Sequence, residues 1–309
     1  MQNKKTLLYC LSFTLGLLFT FTHTLATAQG IAIIKSHDIE PFHQALAGFL
    51  SACPGQVTEY DLRGSRRGEA GIIERIRAAR PKLILAVGSL AAQVAKEGVR
   101  DIPVVFVMVP NPHKYGLKGE KIAGISLDIP SEMQFAMYKS LLPTLKTIGV
   151  IYDPEKTGAI VTEARVAAEK LGLQLLASPV TSQKGVPAAL RSVLGKIDAL
   201  WMVPDDTVMT PESFKFFLLA AFENNLPFIA VSDIFVEAGA LVSLSPDYTD
   251  VGRQACQIVT DFEGGRMSLA EVNILPPAKI QLAINLKTAL KIGLTFPTEI
   301  IQSASKVYR

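Results

Sequence analysis

The sequence predicts an α/β protein of two similar halves, each a parallel sheet flanked by helices. Three observations carry that prediction. Strand-like and helix-like segments alternate along the chain, which favours parallel sheets joined by right-handed crossovers. The run Leu83-Ile84-Leu85-Ala86-Val87 is apolar at every position, as a strand covered on both faces must be. The element order of residues 31–109 also recurs over 148–232. Ala32-Ile33-Ile34, ending at Ser36-His37, matches Gly149-Val150-Ile151-Tyr152, ending at Asp153-Pro154. The Leu83 run ends in Gly88-Ser89, and its counterpart Ala199-Leu200-Trp201-Met202-Val203 ends in Pro204-Asp205-Asp206. The run starting at Pro103 pairs in the same way with the run starting at Pro227. The likeness is one of order, not identity. Two such halves bring two sets of strand ends, and so two half-sites, to one cleft.

The chain begins with a segment that stands apart from the fold. Lys4 and Lys5 precede an apolar stretch from Leu7 to Leu25, and Ala26-Thr27-Ala28 is an A-x-A cleavage signature. Ser and Thr residues interrupt the stretch, which favours a removed signal over a membrane anchor. Export to the periplasm is therefore expected, with a mature start at Gln29. Removing 28 of the 309 residues leaves 281, enough for two domains with cores of their own. The signal holds two of the 31 basic residues and none of the 28 acids, so 29 face 28 and the mature net charge is +1. That balance gives no electrostatic case for nucleic acid or an anionic membrane.

The elements follow in order. Residues 31–34 read as a strand, 41–52 as a helix and 57–62 as a strand. Ile72, Ile73 and Ile76 share one face of a helix over 69–79. A helix over 89–96 and strands over 103–109 and 122–127 complete the first half. Ser131 then caps a helix that Pro143 closes. In the second half, helices are expected over 162–171, with Gly172 as C-cap, over 186–194 and over 211–224. A tail of strand 240–244, helix 250–262, strand 280–285 and helix 288–292 returns to cover the lobes. Linkers are placed near 124–128, 236–239 and 272–277. The first lobe then takes residues 29–125 plus 238–272, and the second 126–237 plus 273–309.

Ligands of open α/β sheets bind outside the carboxyl ends of the strands. That rule selects His37, Gly88, Ser89 and Asn111 in the first half. In the second it selects Asp153, Thr157, Asp205, Asp206, Ser232 and Asp233. After Gly88 a helix begins, so backbone N–H groups and the Ser89 hydroxyl suit a carboxylate. An ordinary serine cap explains the same residues. Asp205-Asp206 could hold an ammonium group; capping of the next helix by Asp206 or Thr207, with Asp205 solvated, is the alternative. His37, Asp38, Glu40 and His43 lack a metal-site spacing, and no cofactor is expected. No G-x-S-x-G, H-E-x-x-H, Walker or G-x-G-x-x-G motif is present, and no nucleophile lies beside a base, so no enzyme is expected. Tyr60, Tyr115, Tyr152, Phe235 and Tyr248 could line an apolar pocket, whereas Trp201, inside a strand, suits the core. Cys53 and Cys256 are read as two small buried side chains, with a disulfide permitted by export.

Several segments together resemble a known family. These are "LILAVGSLAAQVAKEGVRDIPVVFVMV", "IAGISLDIP", "TIGVIYDPEKTGAIV", "MVPDDTVMT", "LPFIAVSDIFVEAGALVSLSPDYTDVGRQA" and "LAINLKTALKIGLTFP". Their order and spacing, from Ile31 to Pro297, resemble ABC transporter substrate-binding proteins of the tryptophan/tyrosine-type group. The resemblance implies a type I periplasmic-binding architecture of two Rossmann-like lobes, three connections and a cleft closing by hinge motion. It also implies a monomer that hands a small ligand, with an amino acid the leading candidate, to membrane permease subunits. By position, Ser89 stands where the family usually has threonine, and Asn111 where aspartate often precedes proline. Asp153 and Asp206 each replace a frequent asparagine, and Thr157-Gly158 replaces Asn-Ser. Asp205, Ser232 and Asp233 fit unchanged. A ligand-presenting sensor of the same fold is the alternative function.

Overall fold

The computed structural model describes residues 30–309. The expected signal lies outside the described residues. The first half runs β1 (Ile31–Lys35), α1 (Glu40–Ala52), β2 (Val57–Asp61), α2 (Glu69–Ala79), β3 (Leu83–Val87), α3 (Ser89–Gly98), β4 (Val104–Val109) and β5 (Ile122–Ser126). The second runs α4 (Ser131–Leu141), β6 (Thr147–Tyr152), α5 (Pro154–Lys170), β7 (Gln174–Pro179), α6 (Val186–Val193), β8 (Ala199–Trp201), α7 (Pro211–Glu223), β9 (Phe228–Ala230), α8 (Asp233–Glu237) and β10 (Val242–Pro246). The tail adds α9 (Tyr248–Glu263), α10 (Leu269–Val272), β11 (Ile274–Leu275), β12 (Ile280–Asn285), α11 (Leu286–Lys291), α12 (Thr298–Ser303) and β13 (Lys306–Tyr308).

Two sheets result, ordered β11-β5-β4-β3-β1-β2 and β13-β12-β10-β9-β8-β6-β7. This is the two-lobed type I periplasmic-binding architecture. Every pairing in the first sheet is parallel. In the second, β12 runs antiparallel to β10, with Pro246 opposite Ile280. The reason is topological. The chain leaves the second sheet at the carboxyl end of β10 and re-enters at the same end, so the returning strand must run backwards.

Apolar-throughout strands are explained by cores on both faces. Ile33, Leu85 and Val105 point into one cluster with α1 and α9, while Ile34, Ala86 and Phe106 point into another with α2 and α3. In the second sheet, Val150 and Trp201 face α4 and α5, whereas Ile151 and Leu200 face α6 and α7.

Two expectations about the tail change. The segment 236–239 was expected to link the lobes. Instead it is the turn from α8 to β10 within the second lobe, with Gly239 at φ 123°. Strand β10 pairs with β9 and β12, and β11 pairs with β5. The chain therefore passes between sheets near 127–130, at Asp247 and near 276–279. Helix α5 also begins eight residues earlier than expected. Asp153 accepts the Glu155 N–H at 3.0 Å and Pro154 takes the first helical position, a strong start signal.

The cysteines change more. Cys53 and Cys256 form a disulfide between α1 and α9, with Cα atoms 5.6 Å apart. The helices cross at two glycines. A Cβ on Gly48 would lie 1.9 Å from the Thr249 carbonyl oxygen, and one on Gly252 would lie 1.9 Å from that of Ala45. Only hydrogen at both positions lets the backbones approach this closely, and the approach brings the sulfurs together. The bridge spans 203 residues, for which the chain-entropy limit is roughly 5 kcal/mol and the contribution usually realised is roughly 2–4 kcal/mol.

Two results are expected. Reduction lowers the unfolding midpoint by about 5–10 °C in a calorimetric scan, since roughly 2–4 kcal/mol is a usual disulfide contribution. Gly252→Ala destabilises by about 2–4 kcal/mol with the disulfide intact, because backbone rather than a flexible side chain must move. An unchanged midpoint for either would show that the α1–α9 crossing is loose.

Candidate functional site

The carboxyl ends of the strands gather the candidate residues on each lobe. On the first lobe, β3 ends at Gly88, which has φ 90° and caps α3. A Cβ there would lie 2.6 Å from Ser36 Oγ and 2.7 Å from Phe42 Cζ, so glycine is required twice over. Ser36, buried after β1, accepts the Ala91 N–H at 2.9 Å. It performs the capping that the sequence suggested for Ser89. Ser89 is the first helical residue and its hydroxyl caps nothing. Among the described residues, neither that hydroxyl nor the N–H groups of Ser89 and Leu90 have a hydrogen-bond partner. The helix dipole adds partial positive charge at this point. Ser36 was missed as a cap because its partner lies 55 positions away.

His37 is exposed beside this turn, with its imidazole against Gly64 (φ 72°). Asn111, at φ 45°, accepts the Lys114 N–H at 3.3 Å and so starts the turn after β4. Its own N–H donates to Asp128 at 2.8 Å, and Asp128 also accepts the Ser126 hydroxyl at 2.7 Å. Asp128 thus ties the end of β4 to the first crossing between lobes. No sequence motif marks it.

On the second lobe the acids separate into distinct roles. Asp205 is 0% exposed. One carboxylate oxygen accepts the Asp153 N–H at 2.7 Å and the Thr157 hydroxyl at 2.5 Å. The other accepts the N–H groups of Thr207 at 3.0 Å and Val208 at 3.3 Å. Asp153, also buried, accepts the Glu155 N–H at 3.0 Å and the Thr207 hydroxyl at 2.7 Å. These bonds weld the loop after β8 to the start of α5. Neither Asp206 nor Thr207 caps α7, because Thr210 does. Asp205 is not solvated, and the polar atoms of Asp153, Thr157 and Asp205 are engaged within the chain.

Asp206, the next residue, is exposed and has no hydrogen bond or ion pair among the described residues. Ser232 precedes α8 and its hydroxyl caps nothing. Asp233 is bound by Lys306 of β13. The structure therefore brings an unpaired carboxylate and a free hydroxyl to the second lobe's edge, opposite in character to the free donors of the first.

The aromatic residues divide similarly. Trp201 is 3% exposed and meets Phe135 edge-on at 5.1 Å. Its indole N–H donates at 3.3 Å to Gln134, which also donates to the Ile129 carbonyl at the first crossing. Tyr60 is buried with Arg75 over its ring, and Phe235 packs on Phe214. Tyr115, Tyr152 and Tyr248 remain half-buried.

At the start of α1, His43 Nε2 lies 2.8 Å from Asp38, which Lys35 also contacts at 3.0 Å. The Asp38 hydrogen bond raises the His43 pKa, and His43 and Lys35 lower that of Asp38. A raised histidine pKa contributes stability that is complete below about pH 6.5 and lost as pH rises through the folded value. Unfolding by urea at pH 6 and pH 8 should therefore show a small loss in the native chain that His43→Gln removes. An identical loss in the variant would exclude the pair as its source.

The acids should also separate by mutation. Asp205→Ala leaves three donors, the Asp153 and Thr207 N–H groups and the Thr157 hydroxyl, without acceptors and should cost about 3–5 kcal/mol in urea unfolding. Asp206→Asn should change stability by less than about 0.5 kcal/mol. Equal effects would contradict the division of roles.

Comparison with known proteins gives the family. Residues 56–308 match the family model described as ABC transporter substrate binding protein. The chain is 26% identical over 211 residues to a tyrosine-binding protein of Clostridioides difficile (strain R20291). That match covers 66% of this chain and 60% of the relative, so it spans less than two thirds of the curated protein's length. A ligand-free, open substrate binding protein with adhesive properties from Clostridium difficile superposes with a TM-score of 0.76 at 22% identity, covering 91% of this chain and 99% of that one. An ABC domain in complex with L-Trp from Streptococcus pneumonia gives a TM-score of 0.58 at 22% identity, covering 90% and 99%. With two lobes of parallel sheet and a family model matched across most of its length, the chain belongs to the ABC transporter substrate-binding protein family.

Proposed function

We propose that this protein captures a free amino acid, with an aromatic one the leading candidate, and delivers it to ABC permease subunits in the membrane. One observation carries the reading: the two cleft edges have opposite unspent polarity. The first lobe offers the Ser89 hydroxyl and two free N–H groups at a helix start, which suit a carboxylate. The second offers the unpaired Asp206 carboxylate, which suits an ammonium group, with the Ser232 hydroxyl following the neighbouring strand β9. A zwitterion joins the two, so only the closed form satisfies both ends of the ligand. Binding then shifts the open–closed equilibrium by its differential affinity, and the closed surface is what the permease recognises. The name of the curated relative, a tyrosine-binding protein, supports the aromatic choice. Export with removal of residues 1–28 belongs to the same reading.

Calorimetric titration of the chain from Gln29 tests this directly. L-tyrosine, L-tryptophan, L-phenylalanine and L-leucine are compared with tyramine and 3-(4-hydroxyphenyl)propionate, which lack one charge each. At least one amino acid should bind, and both truncated analogues should bind far more weakly. Asp206→Asn should weaken amino acid binding at least about tenfold, the scale of one lost charged hydrogen bond, and Ser89→Ala somewhat less. A ligand at a hundredfold excess over its Kd adds about 2.7 kcal/mol of stability, so thermal shift gives a rapid first screen. Absence of binding to every amino acid would overturn the assignment.

A further inference from the structure

The second lobe carries another concavity, at the opposite end of its sheet from the cleft. Gly239 precedes β10, Asn285 closes β12, and Tyr308 closes β13. Because β12 runs against β10, all three lie at the amino ends of the parallel strands. The cleft residues lie at the carboxyl ends. The length of β10, five residues or roughly 17 Å, separates the two places. A cavity of about 410 Å³ opens there, within the range of small-molecule sites.

Its lining carries three basic side chains and one acidic one. Lys287 and Lys291 enter from α11 and Arg309 follows β13. Glu237, at the end of α8, is the opposing acid, and Phe222 and Tyr308 supply aromatic walls. Lys291 Nζ stands 3.9 Å from the centroid of the Phe222 ring, which fixes one cation on a rigid surface. Among the described residues, none of the four charged side chains has an ion pair or a hydrogen bond. The smaller polar groups of the wall are already used: Asn285 donates to the Val236 carbonyl at 2.8 Å and Thr288 to that of Gly239 at 2.9 Å. The wall is thus braced while its cations are free.

We propose that this cavity is a second ligand site, for a small organic anion bearing a carboxylate or phosphate group. Two lysines and an arginine line a space of a size to take such an anion, and Phe222 and Tyr308 offer apolar contact on its flanks. The anion contacts neither Ser89 nor Asp206, so the site is separate from cargo capture.

The test is calorimetric titration of the full chain with succinate and with glycerol 3-phosphate, and with glycerol as the uncharged control. Binding of either anion, and none of glycerol, is expected; which anion binds distinguishes carboxylate from phosphate chemistry. Lys287→Gln and Arg309→Gln should each weaken that binding about tenfold, the effect of losing one charged contact. Glu237→Gln should strengthen it several-fold, a gain that a misfolded variant could not produce. All three variants should retain the native unfolding midpoint. The proposal is overturned if neither anion binds at millimolar concentration. It is equally overturned if the Lys287 and Arg309 variants bind as the native chain does, or if Glu237→Gln weakens binding.

Discussion

Strand direction is the constraint on which the ligand face depends. In a parallel sheet every strand delivers its following loop to the same edge, so unrelated turns accumulate side by side. Here that edge receives the turns after β1, β3 and β4 on one lobe and after β6, β8 and β9 on the other. The same rule decides where the chain passes between lobes. Strands β5, β10 and β11 all end at this edge, so each passage leaves from it. The reversed strand β12 is the geometric consequence of entering the second sheet from the cleft side. Hinge and half-sites are therefore neighbours by construction.

Within that frame, the second lobe uses carboxylates in two ways. Asp205 and Asp153 are spent on holding two loops in register, and their bonds come from backbone N–H groups and threonine hydroxyls rather than from cations. Buried carboxylates satisfied in this manner stiffen a site without offering it charge. Asp206 gains its position from that stiffness, since the residues on both sides of it are bonded inward. Asp233 is balanced by Lys306. Without these bonds the edge would carry several unpaired acids instead of one.

Much of this arrangement was legible in the sequence, for identifiable reasons. The strand ending at Gly88 was readable because a five-residue apolar run cannot sit in a half-exposed strand, and because glycine before a helix implies a tight turn. The repeat of elements announced two lobes and placed the cleft. What the sequence concealed depended on distant partners. Asp205 and Asp206 are adjacent and chemically identical, and only the position of α5 decides which faces inward. The Cys53–Cys256 pairing rests on two glycines, Gly48 and Gly252, that lie about as far apart in the chain as the cysteines' 203 positions. Gly239 has the look of a linker but serves a turn, because its positive φ is needed there equally. Strand β13 is three residues long, too short for periodicity to register, yet it supplies the partner of Asp233.

The pairing of α1 with α9 also sets a timetable. The face of the first sheet beneath α1 holds Ile33, Leu85 and Val105, and α9 covers it with Val251, Ala255, Ile258 and Val259. A ribosome adding about 5–20 residues per second needs roughly 10–40 s to make the 203 residues between the two cysteines. For that interval the nascent first lobe exposes the part of this face that α1 leaves to α9. Contacts of such separation also fold slowly, because loop closure precedes any stabilisation. The nascent chain is thus most prone to aggregation and proteolysis before its last fifth is made, and its early survival depends on whatever shields that face.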